Sequence, residues 1–278
     1  MSIDYFVSVF AYGLQIYFDF SAYSDMAVGL ALIFGLSIPV NFLSPYKSKS
    51  ISEFWQRWHI TLTRFLENII YLPLILNLGR FFKITTLAGS LTVISLTTII
   101  TFFLSGFWHG AGWNYIAFGL YHGFFVVLHR LYASTNILNS KNKLMYVFNS
   151  IYLKIFATNI IVFLSWVLFR SSDLPSAINF YYSLFDIFDG SWKLIFSEKY
   201  ISRLTALSFL FSLCIFLPNS YQLTSYRFKE KKYLCSNRVN KLITIFKKYY
   251  LDLLIIITII FYWLRVSLEN KSFIYYQF

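Results

Sequence analysis

Long apolar stretches separated by short polar segments run along the 278-residue chain. Residues 84–108 and 204–226 contain no charged side chain, and each stretch is longer than the roughly 20 residues that a helix needs to cross a hydrocarbon core. The pattern predicts an all-α polytopic membrane protein with one integral membrane domain over residues 1–278. Shorter or interrupted apolar stretches are predicted to form buried or re-entrant helices, at residues 5–18, 26–40, 111–128, 155–169 and 253–264.

Composition and charge support a membrane protein. Charged residues are only 13% of the chain, about half of the share that soluble domains carry. The net charge of +12 does not require nucleic-acid binding, because the excess lies in loops between apolar stretches, where the positive-inside rule accounts for it. We therefore expect a lipid bilayer and no nucleic acid as a partner. Cys214 and Cys235 have no ligand spacing, so neither a disulfide framework nor a metal site is expected.

Loop charges predict the orientation of the spans. Residues 227–248 hold eight Lys or Arg against one Glu, which places this loop in the cytoplasm. Counting spans backwards puts residues 171–203 outside, residues 129–154 and 47–83 inside, and the turn around His109 towards the outer side.

Residues 50–66 are interrupted by charged side chains and are predicted to form an interfacial amphipathic helix rather than a span. Ser50 and Glu53 have the spacing of a capping box at its start. His59 lies on the apolar face, where a structural role is the ordinary one. That face has helical period and consists of Phe54, Trp55, Trp58, Leu62, Phe65 and Leu66.

The segment LSGFWHGAGW, residues 104–113, ends a long uncharged stretch with a histidine. An ionisable group in a span is costly to bury, so His109 is a functional candidate. Burial favours the neutral imidazole, which is the form that accepts a proton from a hydroxyl group. Nearby glycines are expected to leave space for a substrate to approach closely; they are Gly106, Gly110 and Gly112.

Two neighbours of His109 are candidate hydrogen-bond donors to a developing oxyanion. Trp108 offers an indole N–H and Asn114 an amide. A structural alternative stays open, in which the Gly-His-Gly segment forms a tight turn between helices and His109 bonds only to a carbonyl oxygen. His122 and His129, seven residues apart on one helical face, are weaker candidates.

Two carboxylates interrupt the apolar stretch YFDFSAYSDM, residues 17–26. Asp19 or Ser21 can cap a new helix, and Asp25 would then lie in its first turns, near the positive end. Helix capping is therefore preferred to catalysis for Asp19 and Asp25.

Several of these stretches occur together in one order: YFDFSAYSDMAVGLA, then NFLSPYKSKSISEFWQRWHITLTRFL, then LSGFWHGAGWNYIAFGLYHG. VLFRSSDLPSAINFYYSLF, FLPN and FIYYQF follow them. Together they closely resemble the membrane-bound O-acyltransferase (MBOAT) family, and its bacterial alginate O-acetylase branch in particular. The resemblance covers nearly the whole chain and implies an MBOAT-like helical bundle.

The resemblance implies an O-acetyltransferase of a bacterial cytoplasmic (inner) membrane, in which His109 is the family's invariant histidine and His59 its second histidine. It implies no bound cofactor, and the donor would be acetyl-CoA or another acyl thioester on the cytoplasmic side. The acceptor would be an exported polysaccharide or a periplasmic or extracellular acetyltransferase partner. Candidates for the substrate tunnel or the oxyanion site are then Trp55, Trp58, Trp108, Gly110 and Asn114.

The chain departs from the family pattern in two places. Where the family has an Arg-Asp pair and a Pro-Leu-Gly-Gly-Asn turn, this chain has LENIIYLPLILN. The helices that precede YFDF in the family are absent from this sequence, so we expect the C-terminal portion of a longer enzyme, with a separate N-terminal fragment as a partner. Two alternatives stay open, namely D-alanyl transfer to teichoic acid and a non-catalytic membrane component or inactive remnant of a split gene.

Overall fold

The computed structural model describes residues 2–82, 86–134, 150–186 and 191–223. Within these ranges the chain forms helices and turns and no β-strand. A π-helical turn, Glu67–Tyr71, joins α3 to α4, and 3₁₀ turns occupy Pro45–Lys47 and Ser191–Phe196. The α-helices are α1 (Ser2–Ile33), α2 (Ile51–Trp55), α3 (Ile60–Leu66), α4 (Leu72–Phe81), α5 (Leu87–His109), α6 (Trp113–Ser134), α7 (Ile151–Arg170), α8 (Leu174–Phe185), α9 (Glu198–Phe216) and α10 (Ser220–Leu223).

Five of the described helices are long and apolar enough to cross a membrane: α1, α5, α6, α7 and α9. They confirm the prediction of an all-α polytopic membrane protein. The predicted span at residues 253–264 and the basic loop at residues 227–248 lie outside the described residues, so the orientation inferred from that loop stays a prediction. The chain divides into two compact units, residues 1–211 and 212–278, and the single-domain prediction stays a prediction.

The two uncharged stretches form spans, the first close to its predicted position and the second displaced towards the N-terminus. α5 begins after Thr86, whose side-chain oxygen accepts a hydrogen bond from the Gly89 N–H at 3.1 Å, and it ends at His109. α9 ends at Phe216, well before the predicted position 226. The reason is Pro218, which cannot continue a helix and disfavours a helical backbone at the residue before it.

The prediction of a new helix beginning near Asp19 is wrong, because α1 continues without a break through this region. Asp19 accepts a hydrogen bond from the Gln15 side chain, one turn earlier in the same helix. The Ser21 hydroxyl donates to the Phe18 carbonyl oxygen at 3.3 Å instead of capping a helix. Local bonds of this kind satisfy the polar groups inside the helix, so no cap is needed.

α1 ends earlier than the apolar stretch 26–40 predicts. Gly35 has a left-handed backbone with φ 71°, and the Leu36 N–H donates to the Ala31 carbonyl oxygen at 2.8 Å. This is the Schellman arrangement that glycine favours at the end of a helix. The rest of the stretch, residues 34–40, therefore lies outside α1.

The stretches 111–128 and 155–169 form helices that are long enough to span a membrane, and so are longer than the predicted buried or re-entrant segments. α6 has 22 residues and α7 has 20. Polar residues inside each stretch weaken the apolar pattern, but other helices and turns satisfy them. Asn159 of α7, for example, donates to the Tyr46 carbonyl oxygen at 2.9 Å.

The prediction of a single helix over residues 50–66 is also wrong. Ser50 does cap a helix as predicted, since its hydroxyl oxygen accepts a hydrogen bond from the Glu53 N–H at 3.1 Å, but α2 ends at Trp55. α3 begins after His59, whose backbone is left-handed with φ 43° and ψ 54°. A continuous right-handed helix excludes that conformation.

The segment from α3 to α4 runs alongside α5. At its start, His59 contacts Trp108 in the last turn of α5, with ring centroids 6.4 Å apart. Further along, the Tyr71 hydroxyl accepts a hydrogen bond from Arg130, which also donates to Thr98 in the middle of α5. The segment is therefore antiparallel to α5 and packs against it, and its position at the membrane interface stays a prediction.

α5 and α6 form a closely packed antiparallel hairpin. A Cβ atom added at Gly119 would lie 2.2 Å from the Phe102 carbonyl oxygen and 3.0 Å from the Gly106 Cα. Contacts this short are possible only without a side chain, and small residues let membrane helices approach in this way. The hairpin places His109 at one end of the bundle and Arg130 towards the other.

Candidate functional site

His109 is the last residue of α5 and is half-buried. Its ring centroid lies 4.8 Å from that of Trp108, 5.1 Å from Phe169 and 6.0 Å from Phe118. The tight turn expected after His109 is present, but neither ring nitrogen makes a hydrogen bond to any described residue. Since buried polar groups normally have a partner, this imidazole is available to a substrate.

The space expected beside the nearby glycines is filled by the protein itself. A Cβ atom at Gly106 would lie 2.4 Å from the Tyr115 carbonyl oxygen, and one at Gly110 would lie 2.7 Å from the Tyr115 ring. At Gly112 it would lie 2.3 Å from Asn114 Oδ1. The expectation of open space is therefore wrong at these three positions, where glycine lets the start of α6 close against the end of α5.

The two predicted oxyanion donors differ in their surroundings. Asn114 Nδ2 donates to the carbonyl oxygens of Leu168 at 3.3 Å and Ser171 at 2.9 Å. Both amide hydrogens are thereby engaged, so the geometry does not fit an oxyanion role for Asn114. The Trp108 indole is 59% exposed, and its N–H makes no hydrogen bond to any described residue, so Trp108 remains a candidate donor.

His122 is fully buried and fully hydrogen-bonded. The Trp55 indole N–H donates to its Nδ1 at 3.3 Å, and its Nε2 lies 2.8 Å from the Ser165 hydroxyl, which donates onward to the Val162 carbonyl oxygen at 2.6 Å. Because Nδ1 accepts, Nε2 carries the proton and donates to Ser165. His122 is therefore a neutral structural histidine that fixes the Trp55 ring.

The remaining sequence candidates occupy structural positions. Trp58 is buried, with its ring centroid 5.0 Å from that of Trp166. His129 Nδ1 lies 3.0 Å from a serine hydroxyl of α2. Asp19 and Asp25 are half-buried within α1. In the part of the chain that the structure describes, no group of three His, Cys, Asp or Glu side chains is placed to hold a metal ion.

His59 contacts the same indole as His109. Its Nδ1 accepts a long hydrogen bond of 3.4 Å from the Leu62 N–H. Burial lowers the pKa of His59 from its ordinary 6.5 to about 4, so the imidazole is neutral at physiological pH. With Nδ1 accepting, the neutral ring carries its proton on Nε2 and acts there as a donor.

An extended stretch around Asn41 holds the left-handed turn at His59. The Ile60 N–H donates to the Asn41 carbonyl oxygen at 3.0 Å, and Arg57 and Leu43 exchange two hydrogen bonds of 3.0 Å on the other side of the turn. A left-handed non-glycine residue costs about 1–2 kcal/mol, and such strain persists at sites where the surroundings fix it. Sequence reasoning missed Asn41, because its partners lie far along the chain.

A cavity of about 160 Å³ lies between α2, the segment from α3 to Tyr71, α5 and α6, and we call it the α5 cavity. Its α5 wall consists of Thr98, Thr101, Phe102 and Ser105. Ser105 lies one helical turn before His109, so the two side chains share a face of α5. The wall therefore leads towards His109, which is about 6 Å further along the helix axis.

Arg130 lines the other end of the α5 cavity, whose lining also includes the carboxylate of Glu67. Arg130 Nη1 donates to the Tyr71 hydroxyl and to Thr98 Oγ1, both at 2.8 Å. Among the described residues the only salt bridge joins Arg57 to Glu53, so no described carboxylate pairs with Arg130. Its other N–H groups can therefore bind an anionic ligand. Sequence reasoning also missed Arg130, because a single arginine in a basic loop gives no signal of its own.

Comparisons with known proteins cover the same part of the chain. The sequence model described as MBOAT, membrane-bound O-acyltransferase family, matches residues 5–169, which include His59, His109 and the α5 cavity. The chain is 39% identical over 176 residues to the peptidoglycan O-acetyltransferase of Helicobacter pylori, covering 63% of this chain and 30% of that protein. It is 37% identical over 207 residues to the probable alginate O-acetylase AlgI of Pseudomonas aeruginosa, covering 73% of this chain and 35% of that protein.

Similarity extends to a second kind of acyltransferase. The chain is 34% identical over 122 residues to the teichoic acid D-alanyltransferase of Streptococcus thermophilus, covering 43% of this chain and 28% of that protein. In all three comparisons the chain spans about a third of the length of the relative that it matches.

Proposed function

The chain belongs to the membrane-bound O-acyltransferase family, and from this membership we propose that it takes part in transferring an acetyl group from a thioester to a hydroxyl group of an exported cell-surface polysaccharide. The observation that carries the proposal is His109, a half-buried imidazole with no hydrogen bond to any described residue. It lies on the helix face that continues from the wall of the α5 cavity.

In the proposed reaction His109 is the general base. Its neutral imidazole takes the proton of the acceptor hydroxyl while the hydroxyl oxygen attacks the thioester carbonyl carbon. The resulting tetrahedral intermediate then loses the sulfur, so that the C–S bond breaks and the new ester bond remains. The imidazolium returns the proton to the leaving thiolate, which restores His109.

His59 and Trp108 are proposed to stabilise the negative oxygen of that intermediate. The neutral His59 ring has its Nδ1 engaged by the Leu62 N–H, which leaves the Nε2–H as a donor. The Trp108 indole N–H is a second donor without a partner among the described residues. Fixed donors aimed at the developing charge are commonly worth about 10²–10³-fold in rate each.

The α5 cavity is proposed to hold the acyl end of the donor, with Arg130 binding its anionic part. A volume of about 160 Å³ suits a short acyl group such as acetyl, so acetyl-CoA or another acetyl thioester is the proposed donor. The basic segments near Arg130 support the proposal that this end faces the cytoplasmic side of a bacterial inner membrane, by the positive-inside rule. The acceptor would then arrive at the His109 end, either as polysaccharide or on a partner transferase.

Two other functions follow from the same site less directly. D-alanyl transfer to teichoic acid is supported by the S. thermophilus relative, but over a smaller share of the chain than the O-acetyltransferase relatives. A non-catalytic component or inactive remnant would give no role to His109, which makes no hydrogen bond to any described residue. Assaying acetyl and D-alanyl thioesters side by side, in membranes that contain the complete protein, separates these functions.

Filling the α5 cavity is expected to block the donor. Ser105 is buried and lines the cavity, so Ser105→Leu would place a larger apolar side chain in the path of the acyl group. Because misplacing a reacting group by about 1 Å can cost 10²-fold in rate, we expect about that loss of acetyl transfer at an unchanged protein level. Thr92→Leu, on an exposed position of the same helix, is the control. Normal transfer by Ser105→Leu would show that the acyl donor does not occupy the α5 cavity.

His59→Gln is expected to reduce transfer about tenfold without abolishing it, since glutamine keeps an N–H donor but is less well placed. His59→Leu, which keeps no donor, should lose more. The measurement is initial transfer rate per membrane-inserted protein. If His59→Gln is as inactive as a His109 variant, His59 takes part in proton transfer and the donor role is wrong.

A further inference from the structure

A second cavity, of about 420 Å³, lies between α1, the end of α7 and α8, and we call it the Arg170 cavity. Its aromatic wall comes from Tyr12, Trp166 and Phe180, and its polar wall includes Gln15 and Arg170. An apolar, largely aromatic lining with a few polar groups is typical of sites that bind small ligands. No step of the proposed reaction uses this cavity.

The Arg170 cavity lies at the same end of the bundle as His109. A single aromatic residue, Phe169, separates the two sites. Its ring centroid is 5.1 Å from that of His109 and 5.9 Å from that of Trp166, which lines the cavity. A polymer bound in the cavity would therefore have its adjacent unit close to His109.

Arg170 gives this cavity a positive charge, and the nearby carboxylate of Asp19 accepts a hydrogen bond from Gln15 and not from Arg170. The Arg170 side chain is exposed, its guanidinium carbon lies 5.8 Å from the Tyr12 ring centroid, and it forms no salt bridge within the described residues. A guanidinium group donates two parallel hydrogen bonds to a carboxylate or a phosphate. The indole nitrogen of Trp166 is a further donor, buried without a hydrogen-bond partner in the described part of the chain.

We propose that the Arg170 cavity binds an anionic unit of the exported acceptor, a saccharide unit that carries a carboxylate or a phosphate, so that the neighbouring unit presents its hydroxyl to His109. This inference rests on the proposed acyl transfer. The aromatic walls pack against the flat face of the sugar, while Arg170 holds its charge and sets the register of the polymer. The same cation selects anionic acceptors over neutral ones.

Binding without catalysis tests this proposal directly. The complete protein carrying His109→Ala is placed in nanodiscs of neutral lipid and titrated with a fluorescent uronic-acid oligosaccharide, with its methyl ester, and with a glycerol phosphate oligomer. Arg170→Gln is expected to raise the Kd for one of the anionic probes by at least about tenfold, the loss expected for one charge-assisted hydrogen bond. Binding of the uncharged ester should not change, and Arg170→Lys should recover part of the affinity. The probe whose binding depends on Arg170 shows whether the cavity binds a carboxylate or a phosphate.

Arg203→Gln is the matched control, because Arg203 is also an exposed arginine beside a tyrosine ring, at 6.0 Å from the Tyr200 centroid, but does not line the cavity.

The proposal is overturned if Arg170→Gln weakens binding of all probes equally or of none. It is also overturned if Arg170→Gln acts only in nanodiscs with anionic lipid, which would make Arg170 a lipid anchor. In the active protein, Arg170→Gln should raise KM for the anionic acceptor, and KM for a neutral acceptor should not change. Arg170-dependent binding with no acyl transfer by the wild-type protein would retain the binding site and reject the proposed function.

Discussion

Replacing His109 with alanine is expected to lower acyl transfer per molecule by roughly 10²–10⁴-fold, the usual contribution of a general base, while the protein still inserts and folds. The imidazole is half-buried and makes no hydrogen bond to any described residue. Its removal therefore leaves no buried donor or acceptor unsatisfied, and little loss of stability follows. The effect should appear in the rate and not in the amount of protein.

His122→Ala is the matched control for this prediction. It removes an imidazole of the same helical bundle, but one that bonds both Trp55 and Ser165. Each partner left unsatisfied costs about 1–3 kcal/mol, so the main loss should be in abundance and thermal stability. The two variants together separate a histidine that reacts from a histidine that holds the fold.

The measurement is acetylated polysaccharide normalised to membrane-inserted protein, with each variant made in the complete protein. Near wild-type activity per molecule in His109→Ala would contradict the catalytic role of His109. A large drop in abundance with the remaining molecules fully active would contradict it as well, since that is the behaviour of a structural group.

Local signals in the sequence predicted the helices well where the boundary depends on adjacent residues. The long uncharged stretch before His109 predicted α5, and the Ser50–Glu53 spacing predicted the cap of α2. Both features are local, because they depend only on residues that lie within the element itself or at its end. The spans of α6 and α7 were underestimated, because the polar residues that interrupt their apolar pattern find partners on other helices.

The site depended on contacts between distant residues, and these could not be predicted from the pattern. His109 and His122 look alike in the sequence, and only the partners of His122, 67 and 43 residues away, reveal it as structural. The left-handed turn at His59 is likewise fixed by the stretch around Asn41. The glycines near His109 were expected to make room for a substrate, and a sequence cannot show that Tyr115 occupies that room.

Gly119→Ala is expected to have the largest effect on stability. The added Cβ would lie 2.2 Å from the Phe102 carbonyl oxygen and 3.0 Å from the Gly106 Cα, and both are backbone atoms that no side-chain rotation can move away. The two helices of the α5–α6 hairpin would have to separate. Overpacking of this kind usually destabilises a protein by about 1–3 kcal/mol or more. Because α5 carries His109 and one wall of the α5 cavity, activity should fall together with stability.

Gly29→Ala provides the opposite case on α1. No described atom lies within 4 Å of a Cβ at that position, so alanine should be tolerated and should favour the helix by up to about 1 kcal/mol. Thermal unfolding of the two detergent-solubilised variants, followed by loss of the monodisperse peak, compares them directly. A Gly119→Ala protein as stable as Gly29→Ala would mean that the helices can separate at little cost. The close approach of α5 and α6 would then not be what holds His109 in place.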